Sequence, residues 1–140
     1  MDEKLEQVNA ILNKALTLEY TLIVHYPRIA SMIKDQETRN LANELGRASV
    51  KHADVVANAI IRLGGQPEWS FEFFPEQGDL VAIFETQLEK EKLALDLHHQ
   101  SAALVTIAGL REQFEEIAKE EESHIKTVEK ILRRLKESTN

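Results

Sequence analysis

Four stretches of this chain repeat apolar residues at intervals of three and four, and carboxylates and imidazoles interrupt those stripes at matching places. That pattern confines the fold more than any other feature. The first stripe runs through Leu12, Leu16, Leu22, Ile23, Tyr26, Ile29 and Ile33, the spacing of one helix face. A second follows from Asp35, a natural N-cap, through Leu45, Val56 and Leu63, and Gly64-Gly65 stops it. A third begins near Asp79 and passes through Phe84, Leu88, Leu95 and Val105. The fourth begins near Leu110 and passes through Phe114, Ile117, Val128 and Leu135.

The joints then decide the arrangement. The first-to-second and third-to-fourth joints are short, which makes antiparallel hairpins. Residues 66–78 contain two Pro and resist helix assignment. Thirteen extended residues reach about 43 Å at ~3.3 Å each, enough to run the length of a ~42 Å helix. The expected architecture is an all-α four-helix bundle, with hairpins 5–64 and 79–136 joined by a long crossover. Residues 1–140 form one domain, as 140 residues with 43% hydrophobic content suit one core. Trp69, Phe71, Phe73 and Phe74 are expected to pack the crossover onto the bundle.

Composition narrows the chemistry. Without Cys there are no thiolate sites, so any metal must be held by carboxylate or imidazole. A net charge of -7 gives no electrostatic support for nucleic acid as a partner. The charged N-terminus has no signal-peptide core behind it, and Asn58 and Arg62 break the richest apolar stretch. The expectation is a cytoplasmic protein without a membrane span.

Sliding the sequence by 72 residues pairs Glu19 with Glu91, His52 with His124, Arg39 with Arg111 and Tyr26 with His98. Such agreement of polar residues reads as an internal repeat of hairpins. Glu19 and Glu91 lie on apolar stripes, and Glu121, His124 and His52 interrupt the buried faces of the fourth and second helices. All stand near mid-height. Carboxylates buried among apolar side chains neutralise or find a cation, and oxygen mixed with imidazole nitrogen suits Fe, Mn or Zn over Ca or Mg. The competing reading turns the carboxylates to solvent or pairs them with Arg, and makes the histidines hydrogen-bonded core residues.

One Glu from each of two helices with Glu-x-x-His on the others resembles the ferritin-like superfamily. The stretch LEYTLIVHYPRIA is similar to the first-helix motif of rubrerythrin and bacterioferritin-type domains. The resemblance implies metal ligation by Glu19, His52, Glu91, Glu121 and His124, with Tyr26 as a hydrogen-bond or electron donor to the reaction. It implies a non-haem metal centre, usually di-iron or di-manganese, acting on dioxygen, peroxide or ferrous ions; the alternative is a ferritin-like metal-binding or metal-free helical interaction protein without catalytic turnover. Ser49 replaces the family carboxylate three residues before His52, so fewer than two ions should bind tightly. No fifth helix follows in KESTN, which favours a homodimer or small homo-oligomer over a closed cage. His98 is read as a backbone-bonded residue near the bundle end, with a replacement ligand as the alternative. His25 and His99 are expected on the surface, and Glu115, Glu116, Glu120 and Glu122 on a solvated face.

Overall fold

A computed structural model describes residues 3–74 and 78–138. Among them are four helices and no strands: α1 Glu3–Ala30, α2 Gln36–Arg62, α3 Leu80–Leu104 and α4 Ala108–Ser138. The crossover positions 75–77 lie outside the described residues. Capping sets the helix starts. Asp35 Oδ2 accepts from the Thr38 amide at 2.9 Å and Asp79 Oδ1 from the Val81 amide at 2.9 Å, each cap contributing about 1 kcal/mol. The end of α2 needs a residue in the left-handed region: Gly64 has a φ of 85°, and the Gly64 and Gly65 amides close back on Ile61 and Ile60. Pro27 is accommodated inside α1, one turn from its end.

The crossover climbs along α1, and the bonds that pin it fix the topology. Asn13 Nδ2 donates to the Gln66 carbonyl and Asn13 Oδ1 accepts from the Glu68 amide; further up, Thr21 Oγ1 accepts from the Glu72 amide at 3.0 Å. His25 Nε2 lies 2.8 Å from the Glu72 carbonyl. Helix α3 therefore starts beside the C-terminal end of α1 and runs antiparallel to it, parallel to α2.

The strap also corrects two expectations. His25 is buried rather than on the surface, because the crossover covers a second face of α1. Its ring meets Phe74 edge-on, and Lys90 Nζ donates to Nδ1. The neighbouring ammonium and the loss of solvent both disfavour a charged His25, burial being the larger effect. Of the crossover aromatics, Phe74 packs under Arg28, and Trp69 touches Tyr20 but is largely exposed, as are Phe71 and above all Phe73, at 92%. Only part of the aromatic set holds the strap down.

Arg39 and Arg111, matched by the 72-residue offset, do similar work at the two hairpin joints. Arg39 donates twice to the Ile33 carbonyl and Arg111 to that of Ala102. The core divides into two apolar clusters, one around Leu12, Leu16, Val56, Ile60 and Phe114, the other around Leu22, Ile29, Phe84, Val128 and Ile131. Inward polar side chains occupy the level between them. No helix among the described residues is long and apolar enough to cross a membrane.

Candidate metal centre

Each helix places its polar residues at this level through the 3.6-residue period. Glu19 on α1, His52 on α2, Glu91 on α3 and Glu121 on α4 all have zero exposure, while His124, one turn after Glu121, is slightly open to solvent. The structure thus brings together all five residues read as ligands. His52 Nδ1 stands 3.0 Å from Glu121 Oε1 and 3.4 Å from Glu19 Oε2. His124 Nδ1 is 3.6 Å from Glu121 Oε2. Tyr26, also fully buried, donates its hydroxyl to Glu91 Oε2 at 2.9 Å. Gly46 lets α2 approach closely at this point, since a Cβ there would lie 3.1 Å from the Tyr26 Cβ.

Crowding these groups in a dry interior splits their protonation. Burial opposes charge on His52, yet the Glu121 and Glu19 carboxylates outweigh it and lift the imidazole to about 10. Burial also works against an ionised Glu121, but the His124 and His52 imidazoles beside it hold it well below the usual carboxylate range. Glu91 goes the other way: burial, then the negative charge of Glu121, raise its carboxyl well above that range. The Tyr26 phenol is raised as well, by burial and then by Glu91. Without a metal, a proton on His52 Nδ1 takes the position a cation would fill.

Many polar atoms here have no hydrogen-bond partner among the described residues: both oxygens of Glu19, Glu91 Oε1, Glu121 Oε2, both ring nitrogens of His98 and His124 Nδ1. Each such buried atom costs about 1–3 kcal/mol when left unmatched, and a coordinated cation would satisfy them together. Two donor sets adjoin. One atom from each of Glu19, His52, His98 and Glu121 lies within 4.8 Å of the others, and so does one from each of Glu91, Glu121 and His124. Glu121 belongs to both.

Two further residues depart from expectation. His98 is fully buried with no backbone hydrogen bond; its Nε2 is 4.0 Å from Glu19 Oε1, and its ring packs on those of His52 and Phe114. Glu120 is not simply solvated. Its Oε2 accepts from His52 Nε2 at 2.6 Å, and Oε1 accepts from Lys51 at 3.2 Å. His99, Glu115, Glu116 and Glu122 are exposed, as expected.

The repeat is asymmetric in both layers. Ser49 stands at the position matching Glu121 and donates to the Leu45 carbonyl, while Ala48 matches Glu120. His52 therefore has an acid behind its ring, and the corresponding position for His124 is an alanine.

The ferritin-like domain family matches this chain over residues 9–138. The chain belongs to the ferritin-like family. Its fold agrees with a solved ferritin-like, di-iron-carboxylate protein from Bacillus anthracis at a TM-score of 0.86 and 19% identity, covering 94% of this chain and 99% of that one. The bacterioferritin-related dodecameric thioferritin of Bacteroides fragilis aligns at a TM-score of 0.81 and 21% identity, over 99% and 92% of the two chains. The Desulfovibrio desulfuricans bacterioferritin, solved for its di-iron site, aligns at 0.77 and 25% identity over 96% and 83%. Among functionally curated proteins none matches in sequence. For this ferritin-like chain, the oxygen and imidazole donors and their unmatched atoms suit a divalent cation of the iron, manganese or zinc type.

Proposed function

We propose that this ferritin-like protein is a non-haem iron protein whose ligands are Glu19, His52, Glu91, Glu121 and His124, with Mn and Zn as competing occupants. The observation that carries this reading is the set of buried carboxylate and imidazole atoms at mid-bundle with no hydrogen-bond partner among the described residues. When bound, iron supplies electron transfer to a small oxidant, dioxygen or peroxide, or oxidation of ferrous ion as the reaction itself.

The chain's own residues do the rest. Glu121 joins the two donor sets, and His52 releases its Nδ1 proton when a cation takes that place. Glu120 retains the Nε2 hydrogen and so fixes which nitrogen faces inward. Tyr26 holds Glu91 by its hydroxyl and stands close enough to the donor set to give up a hydrogen atom or electron. The apolar clusters above and below exclude water.

Ser49 favours a second reading, metal binding without turnover. Two divalent ions bring four positive charges against three carboxylates, which leaves the second ion undercompensated. We further propose self-association into a homodimer or small homo-oligomer, by analogy with the ferritin-like family. Light scattering tests that, and a particle of a dozen or more subunits overturns it.

Metal analysis of protein purified without chelator, followed by anaerobic Fe2+ loading and exposure to dioxygen or peroxide, tests the main proposal. Saturable oxidation lost in Glu121→Ala is the expected result. Bound iron without oxidation supports the second reading, and no bound metal overturns both.

A further inference from the structure

His98 is the one member of the first donor set outside the five ligands proposed above, and its repeat partner is Tyr26. Tyr26 reaches Glu91 through a hydroxyl on a longer side chain. His98 instead sits on the Glu19 side, with both ring nitrogens buried and without a hydrogen-bond partner among the described residues. Resting on the reading above, we propose that His98 Nε2 is a metal ligand compensating for the carboxylate absent at Ser49. Glu19, His52, His98 and Glu121 then form a two-imidazole, two-carboxylate site for one divalent ion such as Fe2+ or Zn2+. Glu91, Glu121 and His124 form a weaker neighbouring position.

Three observations carry this beyond the family pattern. The first is spacing. Donors about 2.1 Å from a tetrahedral ion stand roughly 3.4 Å from one another. The observed separations are 3.0 Å for His52 Nδ1 to Glu121 Oε1, 3.4 Å for His52 Nδ1 to Glu19 Oε2 and 4.0 Å for His98 Nε2 to Glu19 Oε1. The two imidazoles face different oxygens of Glu19, and one atom of each of the four residues lies within 4.8 Å of the others, so shifts of about an ångström bring the four to the ~3.4 Å spacing of one ion.

The second is charge. One divalent ion with Glu19 and Glu121 ionised and two neutral imidazoles is formally neutral, which suits a dry interior. A second ion adds two positive charges and gains only Glu91, because Glu121 is already shared.

The third is support. Glu120 holds the His52 ring from behind, and Phe114 with His52 packs against the His98 ring. His124 has Ala48, not an acid, at the matching position. Pre-organised ligands bind the first ion more tightly than unsupported ones. The site is built to be occupied unequally.

The test uses Co2+ and Cu2+ as probes on the full chain, comparing wild type with His98→Gln, His98→Leu and Glu121→Ala. Pulsed electron paramagnetic resonance at one equivalent of Cu2+ counts coordinated imidazoles, and optical titration with Co2+ reports affinity and coordination number. Two imidazoles in wild type, one in both His98 variants, and an affinity for the first Co2+ lowered about 100-fold are expected; that is the upper end of what losing even an outer partner of a ligand costs. A single imidazole in wild type, or a count unchanged by substitution, overturns the role of His98 and leaves the metal centre standing. Failure of wild type to bind either probe overturns the metal centre itself. A single imidazole in wild type overturns the role of His98 even where a variant fails to fold, and two imidazoles that persist in His124→Gln support it in that case.

Discussion

Glu120 lies in a run of acidic residues, yet its contact with His52 predicts a specific loss when it is removed. At 2.6 Å, Oε2 accepts from the Nε2 hydrogen of a fully buried imidazole, and the Lys51 contact at 3.2 Å is an exposed pair that contributes little. A hydrogen bond with a charged partner contributes about 1.5–3 kcal/mol. Glu120 is 31% exposed, and discounting for solvent leaves about 1–2 kcal/mol, or roughly tenfold in affinity. In Glu120→Ala the His52 ring loses the bond that directs Nδ1 toward Glu19 and Glu121. Competition titration of Zn2+ against a chromophoric chelator should show first-ion affinity falling about tenfold in Glu120→Ala. Glu120→Gln, which keeps an acceptor oxygen, should recover most of it, and Glu116→Ala should match wild type. Unchanged affinity in Glu120→Ala would show that His52 is oriented by packing alone. Equal losses in Glu120→Ala and Glu116→Ala would reduce the effect to surface charge.

Removal of metal makes stability pH-dependent through His52. Its folded value of about 10 against 6.5 stabilises the fold by at most about 5 kcal/mol, fully present below pH 6.5 and lost as pH rises toward 10. Urea unfolding in chelator should therefore show stability falling between pH 6.5 and 9, with a flatter profile in His52→Gln; identical profiles would contradict the assignment. Ser49→Glu restores the missing carboxylate and should strengthen binding of the second ion in calorimetry, whereas an unchanged second step would show that the charge is balanced elsewhere. His25→Leu removes the ring that reaches the Glu72 carbonyl and should cost about 1 kcal/mol while speeding amide hydrogen exchange at Glu72. Protection equal to wild type there would mean that Thr21 alone holds the strap.

What the sequence revealed was local or repeated. Asp35, Asp79 and Gly64 act within a few residues of themselves, so the ends they set were readable from neighbours alone. Glu19, Glu91 and the two repeat-matched histidines stood out because they broke apolar stripes at one offset, and Glu121 because it broke the stripe of α4 three residues before His124. His25 was misread because a single stripe assumes one buried face, and the crossover buries another through contacts 47 residues apart in sequence. His98 was misplaced because distance along α3 located it toward a helix end, while its environment comes from His52 and Phe114 on other helices. Glu120 was hidden by its acidic neighbours; its position directly before Glu121, on the seam facing α2, was the available clue. Side chains whose partners lie on another hairpin carry no mark of it in their own surroundings.

Anomalous diffraction from crystals equilibrated with Fe2+ under anaerobic conditions tests the central claim directly, because it locates the ion instead of only counting it. A strong iron peak bounded by Glu19, His52, His98 and Glu121, with a weaker one beside Glu91 and His124, is the predicted result. Iron found only at surface carboxylates, with none at the level between the two apolar clusters, would contradict it.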